Sequence, residues 1–447
     1  MRQDRPYRRD NQGDDNQRIS KAVAFSRGSY REKSHQSAHA EKEIPPTKIP
    51  DHPLIPKDAA KLVITQPELL ELIAHLREEK LFSYDSEFIG ELTYHPRLCL
   101  VQVATTKQIA LIDPLANNVD LRPFWEIVAD PDVKKIVHAG AQDVEPVVRH
   151  LNKEPSNVFD TQIAAGFVGF AYPLSLAKLV LEIVGVRLSK GLTFTHWDQR
   201  PLSDMQMRYA ADDVRFLIAI HEGLTKRLAE RNHIDWADEE CRNLCSADRY
   251  RFDPDSDYLK VRGANGLDSK CLAILREMSM WRDQSAKENN VPPRAMLKDE
   301  ILIDMARNPV TTLDRLLKIK GLPRPVEKRY GQAIMTATNR ALAMTSSELP
   351  PARPDEPTPA ERFDADAMWS VAQAMCAGKG IDPALVTSRQ EIGDLYRMLK
   401  TGHAPTSLRL FQGWRRAAVG DPMLALVSGR GGVTLRWTQQ GLSVGAQ

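Results

Sequence analysis

The chain has 447 residues, with 61 Lys and Arg against 59 Asp and Glu and a formal net charge of +2. That balance excludes a global basic field, so any nucleic-acid contact must come from local patches, and the length suits two or three domains. There is no apolar run of about 18 residues, no secretory apolar core and no transit-peptide composition, so no membrane span is expected and a cytoplasmic location is.

Residues 1–57 are polar, charged and poor in large apolar side chains, which predicts a disordered tail. Arg2, Arg5, Arg8 and Arg9 there offer RNA contacts or simple solvation. From Lys61 the pattern becomes α/β, and residues 58–230 read as one domain. Leu62–Ile64 is a strand, Thr65 is an N-cap with Glu68 as its capping-box partner, and a helix runs to Glu79. Strands follow near 81–87, 97–104 and 107–112, then a helix near 121–129, a strand at 134–138 and a helix from Gly140. Helices near 174–184 and 203–229 complete it. The apolar run Leu98–Ala104 suits a strand covered on both faces, so the fold class is a mixed sheet flanked by helices.

From Asp255 the patterning is helical. Leu272, Leu275, Met278 and Trp281 recur at helical spacing, and residues 255–340 form a second, all-α domain. Five prolines between 345 and 361 mark a semi-rigid linker. Residues 362–440 begin helically and end near Gly429–Gly432 and Leu435–Trp437, where a short hairpin fits. The five cysteines, Cys99, Cys241, Cys245, Cys271 and Cys376, are odd in number and lack C-x-x-C spacing, so neither disulfides nor zinc is indicated.

The chemistry lies in three short motifs. Asp85 and Glu87 are two apart in a strand and project from one face. Asp143 follows Val137-His-Ala-Gly-Ala-Gln. Tyr209 and Asp213 are four apart in a helix and share a face. Four converging carboxylates repel one another, and oxygen-bound divalent cations relieve that repulsion. Two such ions about 4 Å apart are a general device for cutting phosphodiesters. Asp212, beside Asp213, falls outside the Tyr209 spacing and is expected to turn away.

In order and spacing these motifs resemble the tyrosine-type DEDD 3′→5′ exonucleases, and within them the ribonuclease D family. Leu98–Val103, Phe159–Ala165 and Trp197–Leu202 resemble further family signatures, and 255–340 resembles an HRDC domain. Residues 362–440 resemble a divergent second HRDC unit. The resemblance implies a ribonuclease H-like α/β fold followed by helical HRDC-like domains. It implies a metal-dependent 3′→5′ exoribonuclease that trims tRNA precursors and other structured RNAs from single-stranded 3′ tails, releasing 5′-mononucleotides. Asp85, Glu87, Asp143 and Asp213 would hold two Mg²⁺ or Mn²⁺ ions, with Tyr209 orienting the attacking water.

Weaker candidates for touching substrate are Phe88, Gln102 and His138, each with a packing role as the competing reading, and Lys190, after which the sequence departs from the commoner family pattern. Asp160 suits a helix N-cap as well as a family position, so it is left outside the site. Trp197, Arg200 and Pro201 are expected to fix the loop before the Tyr209 helix. Arg294, Lys298, Lys318, Lys320, Arg324, Lys328 and Arg329 in or near the HRDC-like unit are basic candidates for RNA contact, as are Arg409, Arg415, Arg416, Arg430 and Arg436 with Phe411, Trp414 and Trp437 interleaved. Solvated helix faces and core aromatics explain the same pattern. The rival functions are a DNA 3′→5′ exonuclease and a non-catalytic RNA-binding scaffold.

Overall fold

The computed structural model describes residues 46–90, 93–116, 119–188, 196–351, 356–439 and 441–446. They form two compact units. The first comprises Pro45–Phe88, Leu98–Arg251 and Glu356–Gln447; the second includes Ile89–Arg97 and Phe252–Asp355.

The first unit is built on six strands: β1 (Lys61–Val63), β2 (Leu81–Ile89), β3 (Arg97–Ala104), β4 (Ile109–Ile112), β5 (Lys134–Val137) and β6 (Val158–Asp160). Their order is β1-β4-β3-β2-β5-β6. β3 and β4 are antiparallel, whereas β1 with β4, β2 with β5, and β5 with β6 are parallel. The sheet is therefore mixed, and β2 is central. Along β2, Phe82 and Tyr84 point to one face and pack with Phe124, while Ser83, Asp85 and Glu87 alternate to the other.

Helices cover both faces. α1 (Gln66–Glu79) starts at the expected capping box, with Thr65 and Glu68 bonding each other's backbone N–H groups, and buries Leu69, Leu72, Ile73 and Leu76. α2 (Arg122–Val128), α3 (Ala141–Leu151), α4 (Thr161–Gly166) and α5 (Leu176–Val184) follow. The helix expected over 203–229 is interrupted at Phe216, giving α6 (Asp204–Arg215) and α7 (Leu217–Arg231). α8 (Ile234–Cys245) was not foreseen.

Part of the expected tail is a correction. Ile55 is buried, Ile49 and Leu54 pack on the core, and the Arg215 guanidinium donates to the Pro56 carbonyl. Residues 46–57 thus pack in part on the core: Ile55 and Pro56 are buried, while Pro46, Lys48, Asp51, Pro53 and Lys57 stay exposed. Residues 1–45, with Arg2, Arg5, Arg8 and Arg9, lie outside the described residues.

The second unit is helical: α9 (Ser269–Glu288), α10 (Pro293–Met296), α11 (Asp299–Arg307), α12 (Leu313–Leu316) and α13 (Arg324–Leu342) surround Leu272, Leu275, Met278, Leu302 and Ile334. Its buried Asp299 carboxylate binds Arg282 at 2.7 Å and Arg294 at 3.1 Å.

The C-terminal stretch belongs to the first unit. It comprises α14 (Pro359–Lys379), α15 (Pro383–Val386), α16 (Arg389–Lys400), α17 (Gly413–Arg415), α18 (Asp421–Val427), and a hairpin of β7 (Val433–Thr438) with β8 (Gly441–Ala446). Pro359 occupies the first turn of α14, where its missing N–H costs nothing, so that helix begins inside the expected linker. Leu385 fills the space beside Gly166, where an added Cβ would come within 2.5 Å of it. The Asp382 N–H donates to the Gly166 carbonyl at 2.8 Å, and Asp382 accepts the Tyr172 N–H at 3.0 Å.

Candidate active site

The strand and helix spacings deliver the acids to one place. Asp85 and Glu87 project from the face of β2 covered by α6. Ser83, on the same face, donates to the Val214 carbonyl of α6 at 2.9 Å. This bond seats Asp213 over the strand pair. One carboxylate oxygen from each of Asp85, Glu87 and Asp213 lies within 4.8 Å of the others. Asp143, in the first turn of α3 and buried, stands outside that trio but within reach of the Asp85 and Glu87 charges.

The electrostatics are those of anions crowded together. Burial pushes the Asp85 carboxyl up to about 6. Burial and then the Asp85 charge push Glu87 up to about 8. Burial first, and Asp85 second, raise Asp143 and Asp213 well above the carboxylate range. The neighbours that dominate these shifts are acidic or neutral. A divalent cation would reverse the sign of every one of them. The donor set is entirely oxygen, which suits a hard divalent cation.

Tyr209 sits one turn before Asp213, and its hydroxyl pKa is raised by burial and by the Asp213 charge. Its ring lies 6.2 Å from that of buried Trp197. Asp212 turns away, as expected, and pairs with Arg215 at 3.2 Å.

The chain matches the family described as 3'-5' exonuclease over residues 61–229 and HRDC domain over 272–338. A ribonuclease D from Gluconacetobacter diazotrophicus is 33% identical over 371 residues, covering 83% of this chain and 93% of the relative. The chain belongs to the ribonuclease D family. A second relative, from Zymomonas mobilis, is 35% identical over 67% of this chain and 75% of its own. The crystal structure of Escherichia coli RNase D, described as an exoribonuclease involved in structured RNA processing, superposes with a TM-score of 0.71. It shares 27% identity and covers 83% of this chain and 99% of that one. The protein is thus a hydrolytic 3′→5′ exoribonuclease with a ribonuclease H-like sheet and an HRDC unit. An acidic cluster in such a domain points to divalent-metal use. Among the described residues no helix is long and apolar enough to cross a membrane.

Within this family member the loop before α6 is held by Arg200. Its guanidinium grips both oxygens of buried Asp113 and donates to the carbonyls of Cys99 and Trp197, each at 2.7 Å. The signature around Trp197 and Arg200 therefore acts through packing and anchoring. Sequence reasoning did not find Asp113 or Ser83. Ser83 carried a signal, since it precedes Asp85 by two residues on the same strand face.

The weaker candidates take several positions. Phe88 is half-buried and lies on the face of β2 opposite Asp85 and Glu87. Gln102 is fully buried, and neither of its amide atoms has a partner among the described residues. The His138 ring is held between Thr161 Oγ1 at 2.9 Å and the Leu174 carbonyl at 3.0 Å. Lys190 lies outside the described residues.

The C-terminal basic and aromatic residues divide. Trp414 and Arg415 are buried, and both donate to Glu240, Arg415 at 2.5 Å and the Trp414 indole at 3.2 Å. Arg409 donates to the Leu385 carbonyl, and Arg416 pairs with Asp421. Trp414, Arg415 and Arg409 thus serve the packing of the unit, the structural one of the two readings, whereas Arg416 is exposed and its pair with Asp421 lies on the surface. Trp437 remains 79% exposed, and Arg436 beside it is exposed as well.

Proposed function

We propose that Asp85, Glu87, Asp143 and Asp213 hold two divalent cations, Mg²⁺ or Mn²⁺, and that the site removes 5′-mononucleotides from the 3′ ends of tRNA precursors and other structured RNAs. The carrying observation is the trio of Asp85, Glu87 and Asp213 oxygens within 4.8 Å of one another. When bound, such ions supply an activated water and neutralise charge building on the phosphate. Asp85, flanked by every other acid of the set, is the residue best suited to bridge them. Glu87, Asp143 and Asp213 supply the remaining oxygens. The Tyr209 phenol has a reference pKa near 10, so near pH 7 it is neutral and orients the attacking water, with little work as a base. The exposed basic side chains of the HRDC unit and of the hairpin near Trp437 suit backbone contact and base stacking.

The test is digestion of a tRNA precursor bearing a 3′ trailer, beside a matched DNA strand, with Mg²⁺ or Mn²⁺. Wild type should shorten the RNA stepwise from its 3′ end, and Asp85→Asn should not. Preferential shortening of DNA would move the substrate assignment to DNA. RNA binding without cleavage of either strand would leave only a scaffold.

A further inference from the structure

Asp160 lies at the end of β6, beside Val137 at the end of β5, and is 1% exposed. Its carboxylate accepts four backbone N–H groups. Two, from Gln162 at 2.8 Å and Ile163 at 3.3 Å, belong to the first turn of α4, which it caps. The other two come from across the sheet edge. They are Ala139 at 3.1 Å and Gly140 at 2.9 Å, which form the turn that launches α3.

A helix cap alone has no need of that second pair, and the turn they hold is an unusual one. Ala139 has φ of 57°, the left-handed region that a side chain bearing a Cβ rarely adopts. Gly140 follows, and a Cβ there would lie 2.4 Å from Val137 Cγ2. Thr161 Oγ1 donates to the Val137 carbonyl at 3.0 Å and also contacts the His138 ring at 2.9 Å, which braces the same turn. Such a conformation persists only where its surroundings over-determine it. Three residues after Gly140, in the first turn of the helix, stands Asp143.

We infer that Asp160 is a positioning residue of the metal site: its buried carboxylate locks the Ala139–Gly140 turn and thereby aims Asp143 at Asp85 and Glu87. The inference rests on the metal-site reading above. Asp160 touches neither substrate nor the reacting atoms and acts through the backbone. Groups that orient metal ligands typically alter metal affinity about 10- to 100-fold when removed.

Loss of the Asp160 charge would by itself also weaken the attraction for a cation, but it would do so whether or not Asp143 is present, whereas positioning acts only through Asp143.

The experiment is Mn²⁺ titration of the full chain by calorimetry, without RNA, for wild type, Asp160→Asn, Asp160→Ala, Asp143→Asn, Asp85→Asn and the Asp160→Asn/Asp143→Asn double variant. Thermal unfolding is followed in parallel. We expect Asp160→Asn to weaken Mn²⁺ binding about tenfold and Asp160→Ala by more. The double variant should bind no more weakly than Asp143→Asn alone, because both changes remove one contribution. Asp160→Asn keeps the side-chain shape and one acceptor oxygen, so it serves if Asp160→Ala does not fold. Unchanged or tighter binding by folded Asp160→Asn, or additive losses in the double variant, would overturn the inference and leave Asp160 a helix cap. Wild-type binding by Asp85→Asn would instead sink the metal-site reading, and the inference with it.

Discussion

The Ser83 hydroxyl donates to the carbonyl oxygen of Val214 at 2.9 Å, tying the strand that bears Asp85 and Glu87 to the helix that bears Tyr209 and Asp213. The donor is two residues from Asp85 and the acceptor one residue from Asp213. Two halves of the acidic cluster, far apart in sequence, are thus tied through this buried hydroxyl, which also lies 3.3 Å from the Ala104 carbonyl. Ser83→Ala should cost about 1–3 kcal/mol, because a buried partner loses its donor. Displacing α6 by a fraction of an ångström should also lower kcat about tenfold or more. Ser83→Thr keeps the hydroxyl and should retain most of the rate. Steady-state trimming kinetics beside urea unfolding decide this: full activity in a destabilised Ser83→Ala would make the bond purely structural.

Arg200 offers a second lever on the same helix. Asp113 is nearly closed to solvent and relies on the Arg200 fork. A lysine cannot reproduce that geometry or reach the Cys99 and Trp197 carbonyls at the same time. Arg200→Lys should therefore lose about 3 kcal/mol of stability, as for a broken buried pair. The loop it anchors leads to Tyr209, so kcat should fall more than KM changes. Urea midpoints and single-turnover rates on a 3′-tailed RNA measure both.

Much of the site was legible because secondary-structure periods carry it. The spacing of two in β2 and of four in α6 placed Asp85, Glu87, Tyr209 and Asp213 without any tertiary knowledge. Asp143 has no partner in its own helix, and only its motif marked it. The strand face of Ser83 and the capping position of Asp160 were legible, but their wider roles were not: each acts on backbone groups of another element, and spacing within one segment says nothing about which element lies opposite. β6 has three residues, too few to show alternation. α8 carries Ala237, Cys241 and Leu244 at helical spacing, but alanine and cysteine are weak apolar signals among Asp-Glu-Glu and Arg-Asn, so its buried side stands out only once α4 is in place. The C-terminal arginines and tryptophan looked like an RNA surface because sequence cannot tell a solvated cation from one facing Glu240.

That last point has a measurable consequence. Arg415 is 5% exposed and donates to Glu240 and to the Leu385 carbonyl. Replacing it with alanine leaves a largely buried carboxylate uncompensated and should cost about 3–5 kcal/mol. Arg436→Ala, at an exposed position, should change stability by no more than about 0.5 kcal/mol. If the hairpin touches RNA, Arg436→Ala should also reduce the salt slope of RNA binding by about one unit. Thermal unfolding and salt-titrated binding, run on both variants, separate a structural arginine from an RNA-contacting one. Equal unfolding temperatures for the two would refute the structural role of Arg415.

The stability of the exonuclease unit should respond to pH through His221. Its ring packs edge-on against Phe159 at 4.6 Å, and burial, then the nearby Lys134 charge, push its pKa down to about 4. In the unfolded chain an ordinary histidine titrates near 6.5. Between these two values the unfolded state binds the extra proton and the folded state does not, so stability falls as pH drops through that window. Above pH 6.5 the contribution is fully present. Allowing for partial solvent screening, the loss between pH 7 and pH 4 should be about 2 kcal/mol. Other buried histidines and the raised carboxyls add slopes of their own, of both signs. The decisive quantity is therefore the difference between wild type and His221→Gln in urea unfolding free energy. That difference should shift by about 2 kcal/mol in favour of the variant as pH falls from 7 to 4. A difference independent of pH would show that the imidazole protonates in place without penalty.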